Sequence, residues 1–542
     1  MVADSACGYD GDSVEGVSSV MTMFMEKVVG LAQNFEAQME ASPMVFEKIE
    51  REVTSLFAEG QGLFLAGLLA ANRASKARAQ KAQQARLDYV IALRSGQQRP
   101  IQIRLAMGFK CQVTTTYCQP KSMDYSKLIP GLDIDLSVYG FQDGVSPGLV
   151  SKVTRAVALS PSLDQAYQEL ERDGCQLTRS VMDRLVTRTG EEFLTVRERM
   201  LELFESGKMP EGTEFAGQKV SIQIDGGRTR TRSKLTAICP AKNLGKKQSE
   251  VTGQESLGRA KEKRRKGSFQ ADWREPKVFT IYVHDSHGRK HKKFREVIDG
   301  SFADADYIER LIAMQIYRQG AHRASSITLV SDGAAWIWGR IDSILKAAQV
   351  RVQTQIYRIL DVYHACENLS KGLKALGAAA LGTGEDQIDF RGQRSRLRDG
   401  HWKEVSSTLE EVLRERGEDR VADAAEVRRV VDYLRRHGEA GHLDYPSFSL
   451  LGLPLGSGAI ESTIRRVVNL RMKGNGVFWR LPKAECMLVL RGSILSDRWD
   501  EDRTRAKEEM LKNRQLAMPP IDETPRPKSE ARLESPESQG NA

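Results

Sequence analysis

Residues 218–227 read QKVSIQIDGG, and the apolar side chains of Val220, Ile222 and Ile224 alternate with polar ones. This period of two predicts a β-strand that ends at Asp225. Further strands and amphipathic helices follow it. The predicted order is strand, strand, strand, helix, strand, helix and strand, at 218–225, 278–285, 291–297, 305–318, 327–331, 335–348 and 353–360. Strands and helices that alternate along the chain predict one α/β layer.

The predicted strand at 327–331 also ends in an Asp-Gly pair, at Asp332. Such a pair after a strand is more often a hairpin turn than a functional site. The residues that follow read AAWIWGRIDSILKAA, which predicts a helix, so no partner strand is available for a hairpin. Ligands bind at the carboxyl ends of strands in an α/β sheet, and we therefore expect Asp225 and Asp332 to face such a crevice.

A third candidate carboxylate, Glu461, lies in the segment PLGSGAIESTIRRVVNLRMKGNGVFW. Residues 462–484 contain six Lys or Arg and no acidic residue. Glu461 can simply pair with Arg465, one helical turn away. A basic helix followed by two aromatic residues is also typical of a surface that binds phosphates and stacks on bases. The candidate DNA-binding residues here are Arg465, Arg466, Arg471, Lys473 and Trp479.

Two aspartates and a glutamate supply the hard oxygen ligands that Mg²⁺ prefers. Three such side chains can hold two ions, Mg²⁺ or Mn²⁺. One ion would activate a water or a DNA 3′-hydroxyl, and the other would stabilise the leaving oxygen during in-line displacement at phosphorus. We therefore predict metal-dependent phosphoryl transfer at Asp225, Asp332 and Glu461.

Residues 146–207 return to a helical pattern, with a tight turn at Gly174 between two helices. This outline matches a helix-turn-helix. The second helix carries Arg179, Arg184 and Arg188, which we expect to contact DNA. An ordinary helical hairpin in a bundle has the same spacing, so both interpretations stay open.

Four motifs together resemble those of bacterial insertion-sequence transposases of the ISKra and ISLre type. They are DGGRTRTR from Asp225, LVSDGAAWIW around Asp332, ILDVYHACENL around Asp361 and GSGAIESTIRRVVNLRMKGNGVFW around Glu461. The resemblance covers about 220–491 and extends more loosely over the helix-turn-helix region. It implies the DDE class of transposases, with Asp225, Asp332 and Glu461 as the catalytic, metal-binding triad. Asp361 and His364 match an Asp-x-x-His pattern of such transposases, and we expect them to support the triad.

The resemblance also implies an RNase H-like catalytic domain with an all-helical insertion, preceded by helical N-terminal DNA-binding regions. The gap of 129 residues between Asp332 and Glu461 fits a class with an insertion before the glutamate. The predicted divisions, in chain order, are a helical N-terminal domain (1–99), a loop-rich segment with the helix-turn-helix (100–207), the first part of the catalytic core (218–368) with a basic loop (242–277), the helical insertion (369–444), the rest of the core with the Glu-bearing helix (445–499) and a disordered tail (500–542).

Composition excludes several classes of protein. The 542 residues are 40% hydrophobic and 28% charged, as in an ordinary folded, soluble protein, and the net charge is +9. Seven scattered cysteines argue against a disulfide framework. The longest apolar stretch, 62–71, is shorter than the roughly 20 residues of a membrane-spanning helix. The acidic, polar first residues do not resemble a secretory signal, and we expect a bacterial, cytoplasmic, nucleoid-associated protein.

The sequence thus predicts a DNA transposase that binds the ends of its element, cleaves DNA and joins the ends to target DNA. We expect it to act as a homo-oligomer on DNA, with no membrane partner. Two alternatives stay open. One is a structure-specific nuclease on the same fold, which cuts but does not join, and the other is a catalytically inactive DNA-binding regulator. Only a joined strand-transfer product separates the transposase from the nuclease.

Overall fold

A computed structural model describes residues 9–10, 16–41, 45–87, 93–94, 96–121, 131–175, 177–234, 269–377 and 389–512. The helices are α1 (Gly16–Ala41), α2 (Phe46–Arg73), α3 (Lys76–Leu87), α4 (Ile134–Ser137), α5 (Pro147–Leu159), α6 (Leu163–Arg172), α7 (Arg179–Glu205), α8 (Ala305–Arg318), α9 (Ala335–Trp338), α10 (Ile341–Ala347), α11 (Val362–Leu376), α12 (Phe390–Arg398), α13 (Trp402–Arg416), α14 (Ala424–Glu439), α15 (Tyr445–Leu450), α16 (Gly458–Ile464), α17 (Leu470–Met472), α18 (Leu481–Leu495) and α19 (Trp499–Lys512). The strands are β1 (Tyr9–Asp10), β2 (Gln97–Arg104), β3 (Lys110–Cys118), β4 (Leu132–Asp133), β5 (Lys219–Gly226), β6 (Thr229–Lys234), β7 (Phe269–Arg274), β8 (Lys277–Val283), β9 (Val297–Ser301), β10 (Ser326–Ser331) and β11 (Gln355–Leu360).

Five of these strands form one mixed sheet in the order β11-β10-β5-β8-β9. The strands β5, β8 and β9 are antiparallel neighbours, whereas β10 and β11 add to β5 in parallel. Parallel neighbours need a crossover connection, and helix α8 precedes β10 while α9 and α10 precede β11. The mixed sheet and its helices confirm the predicted α/β class. The three parallel strands end at the same edge of the sheet.

Helices cover both faces of this sheet. On one face Ile222 and Ile281, which are paired across β5 and β8, belong to a core with Leu311 of α8. On the other face Val278 belongs to a core with Leu488 of α18. Because both faces are covered, the strands that carry the candidate aspartates are almost fully buried, and their register is strongly specified.

The long helix α7 is fastened to the sheet by a buried ion pair. Arg197 is 5% exposed, and its Nη1 lies 3.2 Å from Oδ1 of Asp299 on β9. The same nitrogen donates a hydrogen bond of 2.9 Å to the carbonyl of Gly300. These contacts fix α7 against β9 at the edge of the sheet. Removing either Arg197 or Asp299 would leave the other charge buried without a partner.

Helices fill the described chain between β11 and α16. They have a core of their own, in which Leu369, Leu409 and Val430 are fully or almost fully buried. The core includes Ile359 of β11 and therefore continues onto the edge of the sheet. The helical segment thus lies beside the carboxyl end of β11, close to the candidate aspartates.

The N-terminal helices pack on strands as well as on each other. Ala66 and Leu69 of α2 share a core with Ile103 and Val113 of the β2–β3 hairpin. Within the predicted helical N-terminal domain (1–99) the described residues form three helices and also strands at 9–10 and from Gln97, and α2 packs on the hairpin that continues beyond residue 99. By length and composition alone α2 could cross a membrane, which is weak evidence because core helices pass the same test.

Two other boundaries differ from the sequence prediction. The third strand of the sheet begins at Val297 and not at residue 291, because 291–296 are mostly charged and only Val297 and Ile298 start a buried run. Helix α19 extends to Lys512, where the disordered tail was predicted to begin at 500. It is ordered because Trp499 is buried and its ring centroid lies 5.2 Å from that of Phe193. Residues 513–542 lie outside the described part of the chain.

The predicted basic loop at 242–277 is also partly a strand. Residues 269–274 form β7, which pairs with β6 in an antiparallel ribbon. Charged and polar residues between Phe269 and Trp273 concealed the strand period in the sequence. The rest of the predicted loop before Phe269, including the basic run at 261–266, lies outside the described residues.

Candidate active site

Three aspartates end the three parallel strands. Strands β10 and β5 pair Val330 with Gln223, and continuing this register by two residues puts Asp332 beside Asp225. Strands β10 and β11 pair Ser331 with Leu360, so the next residue pair is Asp332 and Asp361. We call Asp225, Asp332 and Asp361 the carboxylate row. It crosses the carboxyl edge of the sheet, which is the edge where α/β proteins bind ligands.

Backbone amides just beyond each strand fix the orientation of the row. Each aspartate accepts a hydrogen bond through Oδ1 from an amide one or two residues further along the chain. The donors are Gly226 for Asp225 (2.6 Å), Ala334 for Asp332 (3.0 Å) and Tyr363 for Asp361 (2.8 Å). These local bonds leave the other oxygen of Asp225 and Asp332 free of the turn, whereas Oδ2 of Asp361 accepts a hydrogen bond from Oγ of Ser457.

The glycine after Asp332 has a structural reason. Gly333 has a φ of 87°, in the left-handed region that favours glycine. A Cβ at this position would also lie 2.9 Å from the ring of Tyr433, whose hydroxyl donates a 3.1 Å hydrogen bond to the carbonyl of Asp332. The Asp-Gly pair therefore forms a tight turn, and this turn is compatible with the predicted ligand role of Asp332.

Glu461 reaches the row from helix α16. An oxygen of Glu461, an oxygen of Asp361 and a nitrogen of His364 all lie within 4.8 Å of one another, close enough to hold one metal ion. The Oγ of Ser457 is in hydrogen-bond distance of both carboxylates, at 2.8 Å from Oε1 of Glu461. In the described part of the chain Arg465 forms no ion pair with Glu461, so the simple ion-pair explanation of Glu461 is not observed.

A buried glutamine connects the helix of Glu461 to the strand of Asp225. Gln223 is fully buried on β5, and its side chain donates to the carbonyl of Gly456 (3.1 Å) and accepts from the amide of Ile460 (3.0 Å). Because Gln223 precedes Asp225 by two residues, both side chains lie on the same face of the strand. Sequence reasoning missed this contact, although a glutamine within an apolar core strand was a visible signal.

Burial raises the pKa values of two carboxyl groups of the row, Asp225 and Asp361. The pKa of Asp225 rises to about 6, mainly because burial disfavours the charged form, with further contributions from the negative charges of Asp332 and Glu461. The amide of Gly226 and the imidazole of His364 act in the opposite direction. Burial also raises the pKa of Asp361. The site therefore concentrates negative charge that solvent does not fully screen.

The available ligands fit a hard divalent cation. Carboxylate oxygens dominate, and His364 is the one imidazole nearby among the described residues, with Nε2 at 3.7 Å from Oδ2 of Asp361. Such a set suits Mg²⁺ or Mn²⁺ better than a soft metal, which prefers thiolates. Asp361 and His364 lie close enough to Glu461 to share an ion with it, and their supporting role beside the triad stays a prediction.

The predicted DNA-binding arginines of α7 face solvent but have partners. The side chains of Arg179, Arg184 and Arg188 are 52%, 56% and 40% exposed. Arg179 pairs with Asp164, whereas Arg184 and Arg188 both pair with Asp143. A DNA phosphate would have to compete with these carboxylates. The helix-turn-helix assignment stays a prediction, with α6 and α7 as its two helices.

The basic residues after Glu461 fall into two groups. Arg465 and Lys473 are exposed, in the position that phosphate binding requires. Arg466 donates to Glu296 (3.0 Å), and Trp479 is half-buried with its Nε1 bonded to the carbonyl of Met472 (3.1 Å). Arg466 and Trp479 thus already have partners within the protein.

The prediction for Arg471 is wrong. The residue is only 8% exposed and donates to the carbonyls of Val157 in helix α5 (3.2 Å) and of Pro161 just after it (3.4 Å). Its guanidinium also lies 4.9 Å from the ring centroid of Trp479. Arg471 is therefore part of the packing between helices and does not face a substrate.

No family model matches this sequence, and no curated protein is detectably similar to it.

Replacing Asp225 by asparagine should stabilise the protein in the absence of metal. The pKa of Asp225 is raised, so its ionised form costs stability that develops as pH rises from about 4 through 6. At pH 8 in EDTA we expect Asp225→Asn to raise the free energy of unfolding by about 1–3 kcal/mol in urea titrations. The gain should disappear near pH 4. The exposed Asp342→Asn variant is the control. If Asp225→Asn were no more stable than the wild type at pH 8, the electrostatic account would be contradicted.

The two groups of basic residues should respond differently to substitution. We expect Arg471→Ala to lower the melting temperature by several degrees, because two carbonyls lose a charged donor, with no salt-dependent change in DNA binding. The double variant Arg465→Ala/Lys473→Ala should leave the melting temperature unchanged but weaken DNA binding most at low salt. Thermal melts and a salt titration of DNA affinity on both variants check this prediction. The assignment would be refuted if Arg471→Ala weakened DNA binding at low salt while the double variant lowered the melting temperature.

Proposed function

We propose that this protein is a DDE-type DNA transposase of a bacterial insertion sequence, of the ISKra/ISLre type. The observation that carries the proposal is the placement of Asp225 and Asp332 at one edge of the sheet, with Glu461 near enough for its charge to raise the pKa of Asp225. The ligand atoms that cluster with Glu461 within 4.8 Å of one another belong to Asp361 and His364. Asp225 and Asp332 end adjacent parallel strands, and Glu461 lies on a helix that a buried glutamine fastens to the same sheet. These carboxylates are up to 236 residues apart in the chain, so the fold and not the sequence brings them to one region. A chance cluster of surface carboxylates would not need such an arrangement.

The topology of the sheet supports an RNase H-like catalytic domain. Three antiparallel strands are followed by a helix, a parallel strand, further helices and a second parallel strand, which is the order expected for that fold. The helices α11 to α15 then precede the helix that carries Glu461. In the proposal the part of this segment within 369–444 is the helical insertion.

The chemistry proposed for the site is metal-dependent phosphoryl transfer. Two bound Mg²⁺ or Mn²⁺ ions would activate the attacking hydroxyl and stabilise the leaving oxygen. Asp225 and Asp332 supply ligands from the rigid ends of buried strands, and Glu461 supplies one from a helix whose position is set by Gln223. Asp361 and His364 would orient Glu461 through the contacts around Ser457.

Basic side chains around the row support DNA as the substrate. A cleft of about 900 Å³ beside α16 is lined by Gly456, Ser462, Arg289 and Lys290, of which Lys290 also pairs with Glu296. Exposed Arg465 and Lys473 add positive charge after the helix. We propose that these residues hold the cleaved strand, and that α6 and α7 bind the element ends. The active form would be a homo-oligomer assembled on DNA in the bacterial nucleoid.

The decisive assay uses purified protein, a labelled duplex with the terminal sequence of its own element, a target plasmid and Mg²⁺. Asp225→Ala, Asp332→Ala and Glu461→Ala should each reduce cleavage at least about 100-fold, because each removes a metal ligand, and should leave duplex binding intact. Asp342→Ala removes an exposed carboxylate and should cleave like the wild type.

The products separate the competing functions. Labelled ends joined to the plasmid support a transposase, whereas cut and unjoined ends support a nuclease of the same fold. Binding without cleavage by the wild-type protein would support an inactive DNA-binding regulator. Full cleavage by any one of the three triad variants would overturn the assignment of that residue.

A further inference from the structure

A two-stranded ribbon leaves the sheet directly beside the carboxylate row. Strand β6 begins at Thr229, four residues after Asp225, and pairs over its whole length with β7. The ribbon starts where the amide of Gly227 donates a 2.8 Å hydrogen bond to the carbonyl of Pro276. Its first residues are therefore fixed to the strand that carries Asp225.

One face of this ribbon collects arginines and aromatic rings. The register sets Arg230 opposite Trp273, and side chains directly opposite each other in an antiparallel pair share a face. Thr229 and Thr231 point to the other side, where Oγ1 of Thr229 bonds to the carbonyl of Met472 at 2.7 Å. We call this surface the arginine–aromatic face; it consists of Arg228, Arg230, Arg232, Phe269 and Trp273.

The members of the face stack on one another. The guanidinium of Arg230 lies 4.8 Å from the ring centroid of Trp273, and that of Arg228 lies 5.4 Å from it. Arg232 lies 5.6 Å from the ring of Phe269. Phe269 and Trp273 are 42% and 45% exposed, so two large rings face solvent between cations.

The arginines of the face have no carboxylate partner. Within the residues that the structure describes, Arg228, Arg230 and Arg232 form no ion pair. The nearby acidic residues are engaged elsewhere. Asp272 pairs with Arg274 at 3.1 Å, and Glu275 lies back against the turn at Gly226. The positive charge of the face is therefore available to an anionic ligand, unlike that of the arginines on α7.

The ribbon is also held from its second edge. The amide of Arg232 donates to the carbonyl of Trp479 (2.8 Å), and the amide of Trp479 donates to the carbonyl of Arg230 (2.9 Å). Phe478, the residue before Trp479, packs on Phe269 with ring centroids 5.3 Å apart. Both the strand of Asp225 and the chain that follows Glu461 and Lys473 thus position the face.

We propose that the arginine–aromatic face binds single-stranded DNA beside the scissile phosphate, a role that rests on the proposed function. Exposed rings stack on bases, and unpaired arginines between them bind the phosphates that link those bases. A paired duplex keeps the faces of its bases inside the helix, where these rings could not reach them. The ribbon therefore selects a strand that is frayed or already cleaved.

The test measures binding of a fluorescent oligothymidine of about 16 nucleotides in EDTA, where cleavage does not contribute. We expect Arg230→Ala/Arg232→Ala to weaken binding at least about 10-fold and to reduce the slope of log affinity against log salt by about 1.4, or about 0.7 for each lost charge. Trp273→Ala should weaken binding about 5-fold or more without changing that slope. Arg414→Ala/Arg435→Ala removes equal charge from α13 and α14, and should bind like the wild type.

Each outcome decides the proposal. Wild-type affinity in both ribbon variants would overturn it. If the ribbon variants weakened binding of a duplex of the same length equally, the face would not select single strands, and the proposal would be overturned. If polyglutamate competed with the oligonucleotide at the same ionic strength, the face would bind acidic chains through charge alone, which would overturn it too. The proposed function is tested separately by cleavage: oligothymidine binding through the face without any cleavage would refute the transposase and not the face.

Discussion

The confinement of three carboxylates, Asp225, Asp332 and Asp361, to the ends of buried parallel strands is the constraint on which the rest of the site depends. The three side chains cannot move apart, because a slip of one residue in the buried strands would turn every apolar side chain to the wrong face. Burial raises the pKa values of Asp225 and Asp361, and the negative charges of Asp332 and Glu461 add to the rise at Asp225. A proton or a bound cation would offset the cost of these buried charges, which is why we propose a cation site here.

The surrounding contacts set the place of the fourth carboxylate. Glu461 lies in the first turn of a helical segment that continues through a π-helical stretch (Arg465–Asn469) to Met472. The buried amide of Gln223 together with Ser457 connects the start of this segment to the sheet. Asp225 therefore gives the site rigidity, whereas Glu461 depends on side-chain contacts. The ribbon of β6 and β7 contacts both the strand of Asp225 and the chain after Glu461. It begins beside Asp225, and its strand β6 pairs with Trp479.

The sequence predicted the parts of the site that depend on local patterns. The period of two and the Asp-Gly pairs located Asp225 and Asp332, because strand ends have a local signal. Gln223 could not be found in this way, since its partners are 233 and 237 residues away. Arg471 was assigned to the surface because charge normally implies exposure, although two backbone carbonyls compensate it inside. Strand β7 was missed because its exposed, polar composition imitates a loop.

The central claim is that the carboxylate row and Glu461 form a divalent-metal site. Crystals of the protein soaked in Mn²⁺, with anomalous diffraction measured at the manganese edge, test it most directly. The account predicts anomalous peaks in contact with the carboxylates of Asp225, Asp332 and Glu461, and their loss in Asp225→Asn crystals. Manganese bound by Asp361 and His364 alone, or absent from this edge of the sheet, would contradict it.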